Sequence, residues 1–260
     1  PFPFSLLTSS SLVTSFPEHT LLSRPTFRKI LAWGVHLFTA TGAAWGFLAL
    51  LAIDRGDYRM AILWMVVSIF VDGVDGMLAR LADVKTYAPE IDGPLLDNIL
   101  DYFTYVVVPA YLLYRGDLLP PGWHLAGALS ILLTSAYQFS QSDAKTDDHY
   151  FKGFPSYWNV VVIYMLAMHI PAWANLVMLA VFNVLVFVPV KYVYPSRSVL
   201  LHRVTLGFTY LYGLIGTIAV LQYPDVPQGL MWVSLAYILY YLVLSLWPKK
   251  KEPVINVDEQ

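Results

Sequence analysis

The chain contains no cysteine. Disulfides, thiolate metal sites and a cysteine nucleophile are therefore excluded, and sulfur says nothing about redox compartment. Charge is nearly as scarce. Only 13% of the 260 residues are Asp, Glu, Lys or Arg, against about a quarter in ordinary soluble domains. That is too little to cover the surface of a soluble protein of this size. A net charge of −2 implies no polybasic surface for nucleic acid. No basic residue precedes the apolar part of the segment from Pro1 to Thr20, so it lacks the n-region of a secretory signal. Internal repeats are absent, and the only biased segment is a Ser-rich patch near the N-terminus.

What is present is apolar. Hydrophobic residues make up 57% of the chain, and the mean hydropathy is +0.57. Stretches of about 20 apolar residues, the length that crosses a bilayer, recur along nearly the whole chain. Eight spans are expected, near 33–53, 59–81, 94–114, 121–139, 157–170, 172–193, 204–222 and 227–247. The fifth is short. The expected fold is an all-α integral membrane protein of about eight transmembrane helices. The segment from Pro17 to Lys29 mixes apolar and basic residues, and an interfacial helix or a disordered tail both fit it. The expected organisation is an N-terminal tail over 1–30, a single transmembrane catalytic domain over 31–248 and a C-terminal tail over 249–260.

An even number of spans puts both ends on one side, and positive charge chooses the side. Arg24, Arg28, Lys29, Arg80, Lys85, Lys145, Lys152, Lys191, Arg197, Arg203 and Lys249 to Lys251 fall on one face, thirteen in all. Arg55, Arg59 and Arg115 alone fall on the other. Both termini are therefore expected in the cytoplasm.

Four carboxylates stand inside or at the edge of spans, where they are costly unless paired or metal-bound. Asp72 and Asp75 end the second span, and Asp97 and Asp101 begin the third. Asp72, Asp75, Gly76 and Ala79 lie at i, i+3, i+4 and i+7, and so share one helical face. Gly93, Asp97 and Asp101 share another at i, i+4 and i+8. Two antiparallel helices can turn these faces toward each other and form a cup of four carboxylates at the membrane boundary. All-oxygen ligation suits Mg²⁺ or Mn²⁺, ions that serve phosphate-bearing substrates. Gly73, Gly76 and Ala79 leave room for close approach, and Arg80 suits phosphate. Phosphoryl transfer fits this set, with one carboxylate able to take a proton from an attacking hydroxyl. An ion path through a transporter is a second reading, although such sites belong nearer the midplane.

The run Asp72-Gly-Val-Asp75-Gly76-Met-Leu-Ala79-Arg80, followed by Gly93-Pro-Leu-Leu-Asp97-Asn-Ile-Leu-Asp101, resembles the signature of the CDP-alcohol phosphotransferases. All eight fixed residues of D-x-x-D-G-x-x-A-R and G-x-x-x-D-x-x-x-D are present in order. The spacer departs from the usual eight residues: Leu81 to Asp92 gives twelve. The longer spacer resembles the bacterial phosphatidylcholine synthase branch. So do Trp33-Gly-Val-His36-Leu-Phe-Thr39-Ala40 and Phe151-Lys-Gly-Phe-Pro-Ser-Tyr157-Trp158-Asn159, and the resemblance covers residues 30 to 247.

The resemblance implies roles. Asp72, Asp75 and Asp97 would hold metal ions, two Mn²⁺ or Mg²⁺, with Asp101 completing the site and acting as general base. Gly73, Gly76, Ala79, Arg80 and Gly93 would serve the nucleotide, joined by His36 and Thr39, for which a buried, hydrogen-bonded histidine is the plain alternative. The implied reaction joins CDP-diacylglycerol to choline, giving phosphatidylcholine and CMP by direct attack of the alcohol. Serine, inositol or glycerol phosphate are alternative acceptors. Choline, a quaternary ammonium, is held by aromatic faces, so Tyr157, Trp158, Tyr102 and Tyr105 are candidate contacts, although aromatics crowd membrane interfaces in any case. The resemblance also implies the bacterial inner membrane, a cytoplasmic active site and a homodimer. Asp92, just before the third span, is expected to cap its helix.

Overall fold

The computed structural model describes residues 25–141, 150–193 and 202–246. Tail residues 1–24 and 247–260, and with them most of the expected interfacial segment, lie outside the described residues. The described residues open on α1 (Pro25–Asp54), one helix of 30 residues. Arg28 and Lys29 thus belong to the same helix as the first span. Its buried positions, His36, Thr39, Gly42, Gly46 and Ala49 among them, recur every three or four residues and are mostly small. Neighbouring helices can therefore approach closely.

Gly56, at φ +71°, turns the chain into α2 (Tyr58–Leu81), whose first turn is capped by Asp57 Oδ1 accepting the Met60 N–H at 3.1 Å. A short α3 (Val84–Tyr87) follows, then α4 (Gly93–Asp101). Asp92 caps α4 as expected: its Oδ1 accepts from the Leu95 N–H at 3.0 Å.

The third anticipated span is compound. After α4 come a π-helical stretch (Tyr102–Val107) and α5 (Val108–Arg115). Pro109 accounts for the wider turn. It has no N–H to give the carbonyl of Tyr105, and its ring would strike that carbonyl in a regular α-helix.

The rest comprises α6 (His124–Ser140), β1 (Tyr150–Lys152), α7 (Trp158–Ala167), α8 (Ala172–Phe187), β2 (Lys191–Val193), α9 (His202–Leu221) and α10 (Gln228–Leu246). Each anticipated segment contains helix, although the sixth, expected to run to 193, leaves it at Phe187 and ends in β2. Among the described residues, three helices, α1, α2 and α10, are long and apolar enough to cross a membrane, while α7, α8 and part of α9 are shorter apolar helices. The outer surface matches a membrane protein: Leu37, Phe70, Leu133, Trp173, Tyr210 and Trp232 are each more than 60% exposed.

The all-α expectation needs one correction. The strands β1 and β2 pair antiparallel, with Tyr150 opposite Val193 and Lys152 opposite Lys191. Three residues carry too little pattern to signal a strand, and the partner lies two helices away in sequence.

One core joins α1, α2, the π stretch, α5, α6, α7 and α8 around Ile62, Met65, Leu112, Ile131 and Trp158. A smaller one packs α7 against α9 and α10, aided by a 2.6 Å hydrogen bond between the hydroxyls of Tyr164 and Ser234. At one end of the bundle Asp54 fixes the tip of α1 to α5. Arg115 pairs with it at 3.3 Å, and the Tyr111 hydroxyl donates to it at 2.9 Å. At the other end the long spacer folds onto α1. The Arg28 guanidinium lies 5.4 Å from the centre of the Tyr87 ring, and Lys29 pairs with Glu90 at 3.2 Å.

Candidate active site

The cleft opens where α2 ends and α4 begins. Thr39 and Gly42 of α1 line it, with Ser68, Asp72 and Asp75 of α2 and Asp97 and Asp101 of α4. The helical spacing read from sequence is what brings these side chains onto facing surfaces.

Asp72, Asp97 and Asp101 converge most closely. Each offers a carboxylate oxygen within 4.8 Å of the others. Asp75 lines the same cleft and is buried, 6% exposed. Carboxylates this close repel one another unless a cation lies between them. An all-oxygen donor set at this spacing suits a hard divalent cation, so the residues present fit Mg²⁺ or Mn²⁺.

The Tyr105 hydroxyl donates to Asp72 Oδ2 at 2.7 Å. The Tyr105 ring is buried, and its face tilts against Tyr157 with centroids 5.8 Å apart. Of the four aromatic candidates, Tyr105 touches a carboxylate and Tyr157 packs against Tyr105. The other two are turned away. Trp158 is fully buried, its indole N–H donating to Ser135 Oγ at 2.8 Å, with its ring edge-on to Phe154 and Phe182. Tyr102 donates its hydroxyl to the Leu132 carbonyl at 3.0 Å and packs against Phe139. Trp158 offers no free face for a quaternary ammonium.

The nucleotide-side candidates lie around the same mouth. A Cβ on Gly73 would meet nothing within 4 Å, and one on Gly76 would meet Arg80 Nη1 at 3.6 Å. The Arg80 guanidinium therefore lies back along α2 over Gly76. Ala79 is half-buried between them. Gly93 approaches His36: a Cβ there would lie 3.4 Å from His36 Cε1. His36 is 7% exposed, and its Nε2 has no hydrogen-bond partner. The plain alternative of a satisfied core histidine does not describe that nitrogen. Thr39, one turn on, is buried and lines the cleft.

The sequence reading passed over Gly42, Ser68 and Thr104, which also line the cleft. Two of them had a signal. Gly42 follows Thr39 by three positions and Ser68 precedes Asp72 by four, so both extend faces already identified.

Residues 31–240 match the family model described as CDP-alcohol phosphatidyltransferase. A phosphatidylcholine synthase of Legionella pneumophila is 44% identical over 227 residues, covering 83% of this chain and 88% of that protein. One of Borreliella burgdorferi is 38% identical, covering 84% and 92%. One of Pseudomonas aeruginosa is 34% identical, covering 89% and 97%.

Proposed function

The chain belongs to the CDP-alcohol phosphatidyltransferase family, and we propose that it transfers the phosphatidyl group of CDP-diacylglycerol to choline, giving phosphatidylcholine and CMP. The observation that carries this reading is the convergence of Asp72, Asp97 and Asp101 within 4.8 Å, in a chain whose relatives are phosphatidylcholine synthases along most of their length.

In the proposed mechanism Asp72, Asp75 and Asp97 would hold a divalent metal, with Asp101 completing the set. A divalent cation held there supplies charge neutralisation for the diphosphate and for the departing CMP. Asp101 accepts the proton of the choline hydroxyl as its oxygen attacks the lipid-side phosphorus. The bond from that phosphorus to the bridging oxygen breaks, and CMP leaves with the electron pair. No side chain becomes covalently attached. Gly73 and Gly76 leave space for the nucleotide, and Arg80 balances phosphate charge. His36 and Thr39 border the same site from α1. Tyr157 offers an aromatic face for the trimethylammonium group.

Eight membrane crossings are part of this proposal, with α7 packed inside the bundle. So is one transmembrane catalytic unit over 31–248. The positive-charge bias supports a cytoplasmic placement of the site and both termini, in a bacterial inner membrane.

The test is CMP release by purified protein given CDP-diacylglycerol and Mn²⁺ with choline, serine, inositol or glycerol 3-phosphate in turn. Turnover with choline alone, lost on adding EDTA, is the expected result. Turnover with another alcohol would keep the chemistry and discard choline. No turnover with any acceptor by folded, metal-supplied protein would discard the enzyme reading.

A further inference from the structure

We infer that Tyr105 is a positioning residue for the metal site: it holds Asp72 in ligating orientation through its hydroxyl and is not a contact for the acceptor alcohol. The inference rests on the reading of the carboxylate cluster as a metal site. The aromatic content of the third span first suggests a different role for Tyr105, a face for choline. The geometry gives its polar atom another use.

A carboxylate has two oxygens and a rotatable bond. Left alone on a helix, Asp72 samples several orientations. The Tyr105 hydroxyl donates to Oδ2 at 2.7 Å, the short distance expected of an O–H donor to an ionised acceptor. That bond fixes the plane of the carboxylate and leaves Oδ1 for an ion. Partners behind a ligand commonly act this way, orienting it and tuning its basicity.

The donor is itself held. The Tyr105 ring is 6% exposed and sits in the main core, with Tyr157 against it. Its position follows from the π-helical stretch that begins directly after Asp101. Four residues make slightly more than one α turn but less than one π turn. A regular helix would carry Tyr105 further round, past the face of Asp97 and Asp101. The π stretch turns it back, so the donor on this helix meets the ligand on α2. A π turn beside a functional site is a recurrent arrangement.

Tyr105→Phe is the decisive variant, because it keeps the buried ring and removes only the donor. Mn²⁺ binding to purified protein without substrate is read from the EPR signal of free Mn²⁺, with choline KM measured in parallel. Asp72→Asn is the control for the metal site. The expected result is that Asp72→Asn abolishes binding, while Tyr105→Phe weakens it about 10- to 100-fold and leaves choline KM unchanged. Raised Mn²⁺ should then restore much of the kcat of Tyr105→Phe. If Asp72→Asn loses Mn²⁺ and Tyr105→Phe binds it normally, the positioning role is wrong, and a raised choline KM in that variant would return Tyr105 to the acceptor site. If Asp72→Asn binds Mn²⁺ normally, the carboxylate reading falls and this inference with it.

Discussion

The imidazole of His36 closes against the first residue of α4, its Cε1 lying 3.4 Å from where a Cβ on Gly93 would stand. The first residue of the second half of the Asp motif thus packs directly against α1. A methyl at that distance makes ordinary contact, whereas a longer side chain must displace the ring. Gly93→Ala should therefore fold and retain activity, and Gly93→Leu should fold poorly or lose turnover. Thermal stability and CMP release measured on both variants check this.

His36 itself makes a sharper prediction. A buried polar atom without a partner costs about 1–3 kcal/mol, and Nε2 is such an atom. His36→Leu should leave thermal stability unchanged or raised. If the nitrogen meets the CDP-lipid, as proposed, KM for that substrate should rise about tenfold, the loss of one hydrogen bond of about 1.4 kcal/mol. A variant of unchanged KM would make the histidine a packing residue.

Asp101→Asn should abolish CMP release while keeping the fold. Positioned general bases contribute about 10²- to 10⁴-fold, and the proposed base would also border the metal. Asp97→Asn should lose Mn²⁺ binding as well as turnover. Calorimetry with Mn²⁺ distinguishes the two losses only if Asp101 is chiefly the base, in which case its variant still binds metal.

Two glycines of α1 should differ in stability. A Cβ on Gly46 would lie 2.5 Å from Phe103 Cε1 and 3.2 Å from Thr104 Cγ2, whereas one on Gly42 meets only Leu100 at 3.8 Å. Gly46→Ala should destabilise by about 1–3 kcal/mol, the usual effect of overpacking. It also presses on the π stretch that carries Tyr105, so activity should fall with it. Gly42→Ala should be tolerated in the fold. Unfolding curves in one detergent compare the pair.

Glu90 gives a pH-dependent contact. A backbone hydrogen bond, then the neighbouring Lys29, hold its carboxyl below the ordinary value of 4.5. A lowered carboxyl pKa means that the stabilisation is present above that ordinary value and is lost as pH falls through the folded one. Lys29→Met should raise the Glu90 pKa only part of the way, because the backbone bond is the larger cause. Carbon-13 carboxyl titration reads the difference.

The cup was legible because helical period alone places Asp72 with Asp75 and Asp97 with Asp101, and no membrane helix retains such groups idly. The Asp92 cap was legible for a similarly local reason. The pairing of Tyr150 with Val193 was not, since it depends on how α7 and α8 return the chain. The separation of Tyr157 from Trp158 also needed the fold: both are interfacial aromatics by composition, and only the direction of α7 sends one to Tyr105 and the other to Ser135. The use of the Tyr105 hydroxyl was hidden by the π stretch, whose cause, Pro109, is in the sequence but whose register is not.

Of the ten residues of α7, only Val160 is not buried. At 1.5 Å per residue such a helix is about half as long as the hydrocarbon layer is thick. Lipid therefore has little part in holding it; the surrounding helices do. Its place in the order of assembly follows. Helices such as α1 and α2 can enter the bilayer on their own hydrophobicity, but α7 must wait for walls to enter. These walls include α8, α9 and α10, which the ribosome delivers later. The part of the site where Tyr157 leads into α7, the proposed acceptor side, should then be the last part of the protein to take shape, after the carboxylates have met.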